Sequence, residues 1–210
     1  SLTGLGGSPR CFQRGRRLPC ADFFSGCGPS SMQNRRPLVA GNWKLNGSRS
    51  ASRALVSAVG DGLAIQGLGP SALAAEDGAV EVLVCPPFVY LADLADPAGT
   101  RHLKLGAQDV AVEESGAFTG EVSASMLLDV GCQYVIVGHS ERRALFGDTD
   151  DRVAGKVMAA LRTGLAPILC VGETLAERDS GQTLAVVRRQ LDAVFSALES
   201  AGLSPSAWQP

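Results

Sequence analysis

The sequence predicts an α/β fold with a parallel sheet, and three observations support this prediction. Five short aliphatic runs follow residue 37, each with the length and composition of a buried strand. Longer stretches with helical spacing of apolar residues lie between them. Strand and helix therefore alternate five times, which favours parallel strands joined by helices. The alternation alone leaves open whether the sheet is an open doubly wound sheet or a barrel.

The elements follow from local signals along the chain. The five predicted strands are 38–42, 80–85, 103–108, 134–138 and 166–171. Ser48 or Ser50 can cap a first helix that runs toward Gly67. A second predicted helix, 148–161, has an apolar face and is followed by Gly164, a typical terminator. A third, 183–198, is predicted to bury one face, which contains Leu184, Val187, Leu191, Val194, Phe195 and Leu198.

The first 36 residues differ from the rest of the chain. Six arginines and one acid, Asp22, give this segment a charge of +5. The rest of the chain must therefore carry −7 to give the net charge of −2. We expect residues 1–36 to be a disordered or non-native extension, with Met32 as a natural start, and residues 204–210 to be a tail. An organellar transit peptide is the alternative for the leader, because it is rich in arginine and poor in acids.

Composition excludes several classes of function. An acidic body argues against nucleic acid as the main partner. No apolar run approaches the roughly 20 residues of a membrane span, so no membrane association is expected. The six cysteines form no C-x-x-C pair and only two histidines are present, which argues against a metal site. We expect Cys132 and Cys170 to be buried, reduced thiols in a cytoplasmic protein.

Polar side chains follow the first predicted strand. Asn42 and Lys44 lie two residues apart, so on an extended chain they project in the same direction. Because the sites of α/β enzymes lie at the carboxyl ends of strands, Lys44 could neutralise an anionic substrate such as a phosphate. The alternative is an ordinary solvated lysine.

A histidine follows the fourth predicted strand. His139 precedes a predicted helix start, with Ser140 as the cap and Glu141 in the first turn. The positive end of the helix dipole disfavours an imidazolium, so a neutral His139 able to donate a proton is expected. The alternative is a packed histidine with no catalytic role. Arg142 stands where a nucleophile elbow needs glycine, and no Walker or G-x-G-x-x-G loop follows a strand, which argues against hydrolases and nucleotide binding.

The loop 114–121 is polar and glycine-rich and contains Phe118 and Thr119. Loops of this kind bind ligands or partners, or simply connect two elements. The residues alone do not separate these two possibilities.

Five segments together resemble one family. The segments AGNWKLNG at 40–47, LGAQDV at 105–110 with GAFTGE at 116–121, YVIVGHSERR at 134–143 and ILCVGE at 168–173 resemble the triosephosphate isomerases in order and spacing. The resemblance implies a TIM (β/α)8 barrel, of which residues 37–203 would contain only the first five β/α units. Another sugar-phosphate isomerase or aldolase on the same fold would not explain the Asn-Trp-Lys and His-Ser-Glu-Arg-Arg segments.

The resemblance also implies a function. It implies an intramolecular aldose–ketose isomerase of glycolysis and gluconeogenesis that interconverts dihydroxyacetone phosphate and glyceraldehyde 3-phosphate through an enediolate, without cofactor or metal. By position, Lys44 matches the lysine that holds the substrate's charge and Asn42 the asparagine beside it. His139 matches the neutral histidine that polarises the carbonyl. Ser140 and Glu141 match residues around that histidine, and Thr119 matches the loop residue that reaches the partner in a homodimer.

One part of the family pattern is not found. The family's catalytic glutamate follows a sixth strand, in a segment like Tyr-Glu-Pro-Val-Trp that does not occur here. A chain of five β/α units would leave two sheet edges open, so we expect it to fold poorly, aggregate and have almost no activity. The alternative to a truncated isomerase is a non-catalytic barrel fragment that acts as an interaction protein.

Overall fold

The computed structural model describes residues 37–66, 80–95 and 103–203, and the backbone of two short strands near the N-terminus. Those strands, β1 (Arg10–Gln13) and β2 (Arg16–Pro19), pair as an antiparallel hairpin. The rest of residues 1–36, the end of the predicted first helix at Gly67 and the tail 204–210 lie outside the described residues. The predictions of an extension and a tail therefore stay predictions.

Five parallel strands form the sheet, and all five predicted strands are confirmed with bounds within two residues. They are β3 (Leu38–Asn42), β4 (Glu81–Cys85), β5 (Lys104–Ala107), β6 (Tyr134–Val137) and β7 (Ala166–Leu169). Their spatial order is their sequence order, with β3 and β7 at the two edges of this five-stranded sheet. The architecture is therefore an α/β half-barrel: the parallel sheet confirms what the five alternations predict, and the partial barrel confirms what the family resemblance implies.

Seven helices connect or flank these strands in the described part of the chain. They are α1 (Arg49–Ile65), α2 (Phe88–Leu94), α3 (Ala124–Asp129), α4 (Ser140–Leu145), α5 (Asp150–Thr163), α6 (Leu175–Asp179) and α7 (Thr183–Ser200). The hydroxyl of Ser48 caps α1, and α5 ends at Gly164 with φ +86°, both as predicted. None of these helices is long and apolar enough to cross a membrane.

The main core lies between the helices and one face of the sheet. Helix α5 contributes Val153, Val157 and Ala160, all fully or almost fully buried. The sheet contributes Val84, while Leu83 and Cys85 on the same strand join a smaller cluster with Ile136. Alternate residues of one strand therefore pack into two different clusters, because successive side chains point to opposite faces of a sheet.

The predicted buried face of the last helix is partly wrong. In α7 the buried residues are Val186, Gln190, Val194 and Leu198, whereas Leu184 is 84% exposed. The buried stripe is rotated because the Gln190 amide donates to the Gly172 carbonyl at 3.0 Å and accepts from its N–H at 2.8 Å. This polar anchor outweighs a purely apolar pattern, since the Gln190 amide is buried and a buried amide left without a partner would cost about 1–3 kcal/mol.

The described cysteines are free thiols. Cys85 and Cys132 are both buried, which confirms the prediction for Cys132. Burial raises the pKa of each thiol to about 12. The prediction that Cys170 is buried is wrong: this thiol is free but only half-buried, because it directly follows the edge strand β7. No group of His, Cys, Asp and Glu suited to a metal ion is found among the described residues.

The substitution Gly106→Ala should destabilise the fold by about 1–3 kcal/mol, the usual cost of an added methyl in a packed core. A Cβ at Gly106 would lie 2.9 Å from Cys85 Sγ and 3.0 Å from Leu83 Cδ1. The matched control is Gly60→Ala inside α1, where no atom lies within 4 Å and a stabilisation of about 0.5–1 kcal/mol is expected. Urea unfolding of the three proteins tests this, and equal midpoints for both variants would contradict it.

Candidate active site at the carboxyl edge of the sheet

Lys44 lies in the loop between β3 and α1 with an unusual backbone. Its φ is +53°, a value that non-glycine residues rarely adopt. The Asn42 side-chain oxygen accepts the Lys44 N–H at 3.0 Å, and the Gln108 side chain donates to the Lys44 carbonyl at 3.0 Å. Both ends of this residue's main chain are therefore held by side chains at the ends of strands.

The amine of Lys44 contacts a carboxylate from another part of the chain. Lys44 Nζ donates to Glu141 Oε1 at 2.6 Å, and both side chains are about half exposed. This hydrogen bond lowers the pKa of Glu141 below its ordinary value and outweighs the opposing effect of desolvation, and the charge of Lys44 acts in the same direction as the hydrogen bond. The contact brings the β3–α1 loop to the start of α4.

His139 follows β6 and is itself the N-cap of α4. Its Nδ1 accepts the backbone N–H of Glu141 at 3.2 Å. A ring nitrogen that accepts a hydrogen bond has no proton, so the imidazole is neutral with the proton on Nε2. Glu141 Oε2 also lies 3.6 Å from Nδ1, but with Nδ1 already an acceptor this approach is not an ion pair.

The prediction that Ser140 caps this helix is wrong. Ser140 is the first residue of α4, and the side chain of His139 occupies the capping position. Serine has the higher N-cap propensity, but the ring of His139 accepts the capping hydrogen bond instead. Strand β6 ends at Val137, one residue before its predicted end, so the helix also begins earlier. Ser140 instead lines a cavity of about 460 Å³, together with Arg143, Glu173 and Gln190.

The structure brings together Asn42, Lys44, His139 and Glu141, but not Thr119. Thr119 is exposed in the loop after β5, and no side-chain hydrogen bond joins it to those four residues within the described ranges. The loop is ordered by its own backbone hydrogen bonds, from Phe118 N to Gly116 O at 3.0 Å and from Glu121 N to Phe118 O at 3.1 Å.

A buried ionic cluster supports the start of α4, and sequence reasoning missed it. Lys156 is fully buried, with Nζ 2.8 Å from Asp109 and 2.9 Å from Asp148. Arg142 Nε lies 2.8 Å from Asp109 and 3.2 Å from Asp148, and the partly exposed Arg152 lies 3.7 Å from Asp148, so three cations surround the two acids. Burial raises the pKa of Asp109, partly offset by Lys156 and Arg142. A lysine within the apolar face of a helix was the available signal.

The comparisons with known proteins agree with this geometry. A family model described as triosephosphate isomerase matches residues 37–207. This chain belongs to the triosephosphate isomerase family. Its relatives include the triosephosphate isomerases of Thiobacillus denitrificans, 52% identical over 178 residues, and of Magnetococcus marinus, 52% identical over 164 residues.

The match covers most of this chain but a smaller part of each relative. The two proteins align with 84% and 78% of this chain and with 66% and 60% of their own lengths. The crystal structure of triosephosphate isomerase from Bartonella henselae superposes with a TM-score of 0.66 and 38% identity, covering 76% of this chain and 61% of that chain. The chain therefore spans about 60–66% of the length of these triosephosphate isomerases, in agreement with a partial TIM barrel.

Three described carboxylates near this edge, Glu141, Asp109 and Glu173, are paired with cations, which bears on the missing base of the triosephosphate isomerase pattern. Glu141 pairs with Lys44, and Asp109 with Lys156. Glu173 accepts from Arg178 Nε at 2.7 Å; hydrogen bonding to its own backbone N–H and to Arg178 lowers the pKa of Glu173. None of these three carboxylates stands free to accept a proton from a substrate.

The pairing of Lys44 with Glu141 predicts a pH dependence. Because the pKa of Glu141 is depressed, the pair contributes fully above the ordinary glutamate pKa of about 4.3 and is lost as the pH falls through the folded-state value. Lys44→Met should move the Glu141 midpoint upward in an NMR titration of carboxyl carbons. Lys104→Met, which removes a lysine 3.7 Å from Glu81, is the control and should leave it in place. An unchanged midpoint in Lys44→Met would contradict the pairing.

Proposed function

We propose that this chain provides the electrophilic part of a triose-phosphate isomerase site, for the interconversion of dihydroxyacetone phosphate and D-glyceraldehyde 3-phosphate. Membership of the family supports the substrate class. The observation that carries the proposal is the approach of Lys44 to the start of α4, where His139 is a neutral hydrogen-bond donor at Nε2. A cation and a neutral imidazole at one sheet edge suit a substrate with a phosphate and a carbonyl.

In this proposal His139 and Lys44 act on different parts of the substrate. The Nε2–H of His139 donates to the carbonyl oxygen and stabilises the negative charge that develops on it in the enediolate. The same nitrogen then moves a proton between the two oxygens, since a neutral imidazole can donate and accept in turn. Lys44 neutralises the anionic substrate, with Asn42 holding the Lys44 main chain and Glu141 holding its amine.

The isomerisation also needs a base that removes a proton from carbon. The described carboxylates nearest this edge, Glu141, Glu173 and Asp109, are each held by a cation. A carboxylate that is already a salt-bridge partner is a weak base toward a carbon acid. We therefore propose that the base lies outside the described residues, and that the described part polarises the carbonyl and binds the phosphate.

The setting of the proposed enzyme follows from its family. We propose that it works in the cytoplasm in glycolysis and gluconeogenesis, with no cofactor and no nucleic-acid partner. We also propose a homodimer in which the loop of Phe118 and Thr119 contacts the second subunit. Phe118 is 45% exposed on a loop that is already ordered, as an interface residue in a free subunit would be.

Exposed apolar side chains in two loops favour the second candidate, a non-catalytic fragment that acts as an interaction protein. Leu45 is 96% exposed in the loop that contains Lys44, and Phe118 adds a second exposed apolar side chain. Exposed apolar residues of this size are typical of contact surfaces. This candidate predicts protein contacts but no binding of a triose phosphate, so substrate binding separates the two.

Dihydroxyacetone phosphate should bind the 210-residue chain, and its carbonyl stretching frequency should fall on binding. Isothermal titration measures the first and infrared difference spectroscopy the second. Lys44→Met should weaken binding by about tenfold or more, because a hydrogen bond to a charged group contributes about 1.5–3 kcal/mol. His139→Gln should retain binding but lose the frequency shift. Absence of binding would contradict the isomerase proposal and favour the interaction protein.

The dimer proposal predicts a mass of two chains of 21.7 kDa in light scattering. Phe118→Asp should convert the protein to monomers, because a buried unpaired carboxylate strongly disfavours an interface. Leu184→Asp is the matched control, since Leu184 is an exposed leucine on α7 and should leave the mass unchanged. A wild-type protein that is monomeric at micromolar concentration would contradict the dimer.

A further inference from the structure

The main chain of Lys44 adopts a conformation that its side chain does not favour. Among the described residues Lys44 is the only non-glycine residue with a positive φ. The left-handed region is disfavoured for residues with a Cβ, so an outside restraint must hold it there. The Asn42 oxygen restrains the Lys44 N–H, which leaves the Lys44 carbonyl to a second partner.

That second partner is the amide of Gln108, directly after β5. Its Nε2 donates to the Lys44 carbonyl at 3.0 Å and to the Cys85 carbonyl at 2.8 Å. Both amide hydrogens are used, and a rotated amide would set an oxygen against two carbonyl oxygens, so this orientation is the only one that satisfies the site. Cys85 ends β4, which pairs with a strand on each side, so Gln108 links the Lys44 loop to the interior of the sheet.

The contact with Lys44 is the part of this arrangement that no other hydrogen bond among residues 37–66, 80–95 and 103–203 duplicates. The strands β4 and β5 already pair through Leu83↔Lys104 and Val84↔Leu105. The Cys85 carbonyl also accepts the Trp43 N–H at 3.1 Å. The Lys44 carbonyl, in contrast, has the Gln108 amide as its hydrogen-bond donor.

We infer that Gln108 is a positioning residue, which fixes the left-handed Lys44 main chain so that its amine points to Glu141 and to the anionic group of a substrate. The contact of Lys44 with the substrate's anionic group rests on the proposed function, whereas the contact of Lys44 with Glu141 does not. Without the Gln108 amide, Lys44 relaxes to an extended conformation and its amine leaves Glu141.

The three lysines of the chain provide the test. Lys44 is paired with Glu141, the side chain of Lys104 is 42% exposed, and Lys156 is fully buried. Brief acylation with acetic anhydride followed by peptide mass spectrometry measures the reactivity of each amine in the full chain, in phosphate-free buffer. Gln108→Met keeps the length of the side chain and removes both donors.

In Gln108→Met, labelling of Lys44 should rise about fivefold or more relative to Lys104, the factor by which the left-handed region is disfavoured once unrestrained. Lys156 should stay protected. Gln190→Met is the matched control, because Gln190 is also an amide that makes two hydrogen bonds to backbone, at Gly172. It should leave the labelling of Lys44 unchanged.

Three outcomes would overturn the inference. Labelling of Lys44 could be unchanged in Gln108→Met, or it could rise equally in Gln190→Met. If Gln108→Met exposes Lys156, Gln108→Ala, which introduces no new bulk, is measured instead. Exposure of Lys156 in that variant as well would mean that Gln108 supports the whole fold and not the position of Lys44.

A separate arm tests the proposed function. Inorganic phosphate should protect Lys44 of the wild-type chain from acylation and leave Lys104 unaffected. Failure of this protection would contradict anion binding at Lys44. The effect of Gln108→Met would still be decided by its own result, since that comparison is made without phosphate.

Discussion

The parallel pairing of five strands is the constraint on which the candidate site depends. It sets every carboxyl end at the same edge of the sheet, so Asn42 at the end of β3, Gln108 after β5 and His139 after β6 lie at one edge. Lys44 and Glu141 meet across 97 positions of sequence for this reason. A slip of one residue in any strand would turn its last side chain to the opposite face and separate the group.

Several features of the candidate site destabilise the folded state, and the rest of the fold must offset their free-energy cost. A left-handed Lys44 costs roughly 1–2 kcal/mol. The two buried carboxylates beneath α4 lose their hydration, and the pairing with nearby cations, chiefly Lys156 and Arg142, offsets that loss. Such terms are small beside the main core, but they lie at one edge of the sheet. Conformational strain thus coincides with the candidate site, and the apolar clusters supply the stability that maintains it.

The sequence was sufficient for features with a local cause. Aliphatic runs predicted all five strands, and Gly164 predicted the end of α5, because burial and a left-handed terminator leave direct traces in composition. Features with a tertiary cause were missed or wrong. The N-cap of α4 is His139 because of where β6 ends, and the buried face of α7 follows the contact of Gln190 with Gly172. The short helices α2, α3 and α6 have too few turns for a visible period.

The five strands have the same order in the sheet as in the sequence, and this has a consequence for folding during synthesis. Each strand pairs with the one synthesised just before it, over separations from 21 residues at Val84↔Leu105 to 43 residues at Leu38↔Glu81. Contacts this local keep the entropy of loop closure low. The sheet can thus grow one strand at a time from the amino end as the chain leaves the ribosome, with each new β/α unit covering the edge left by the previous one.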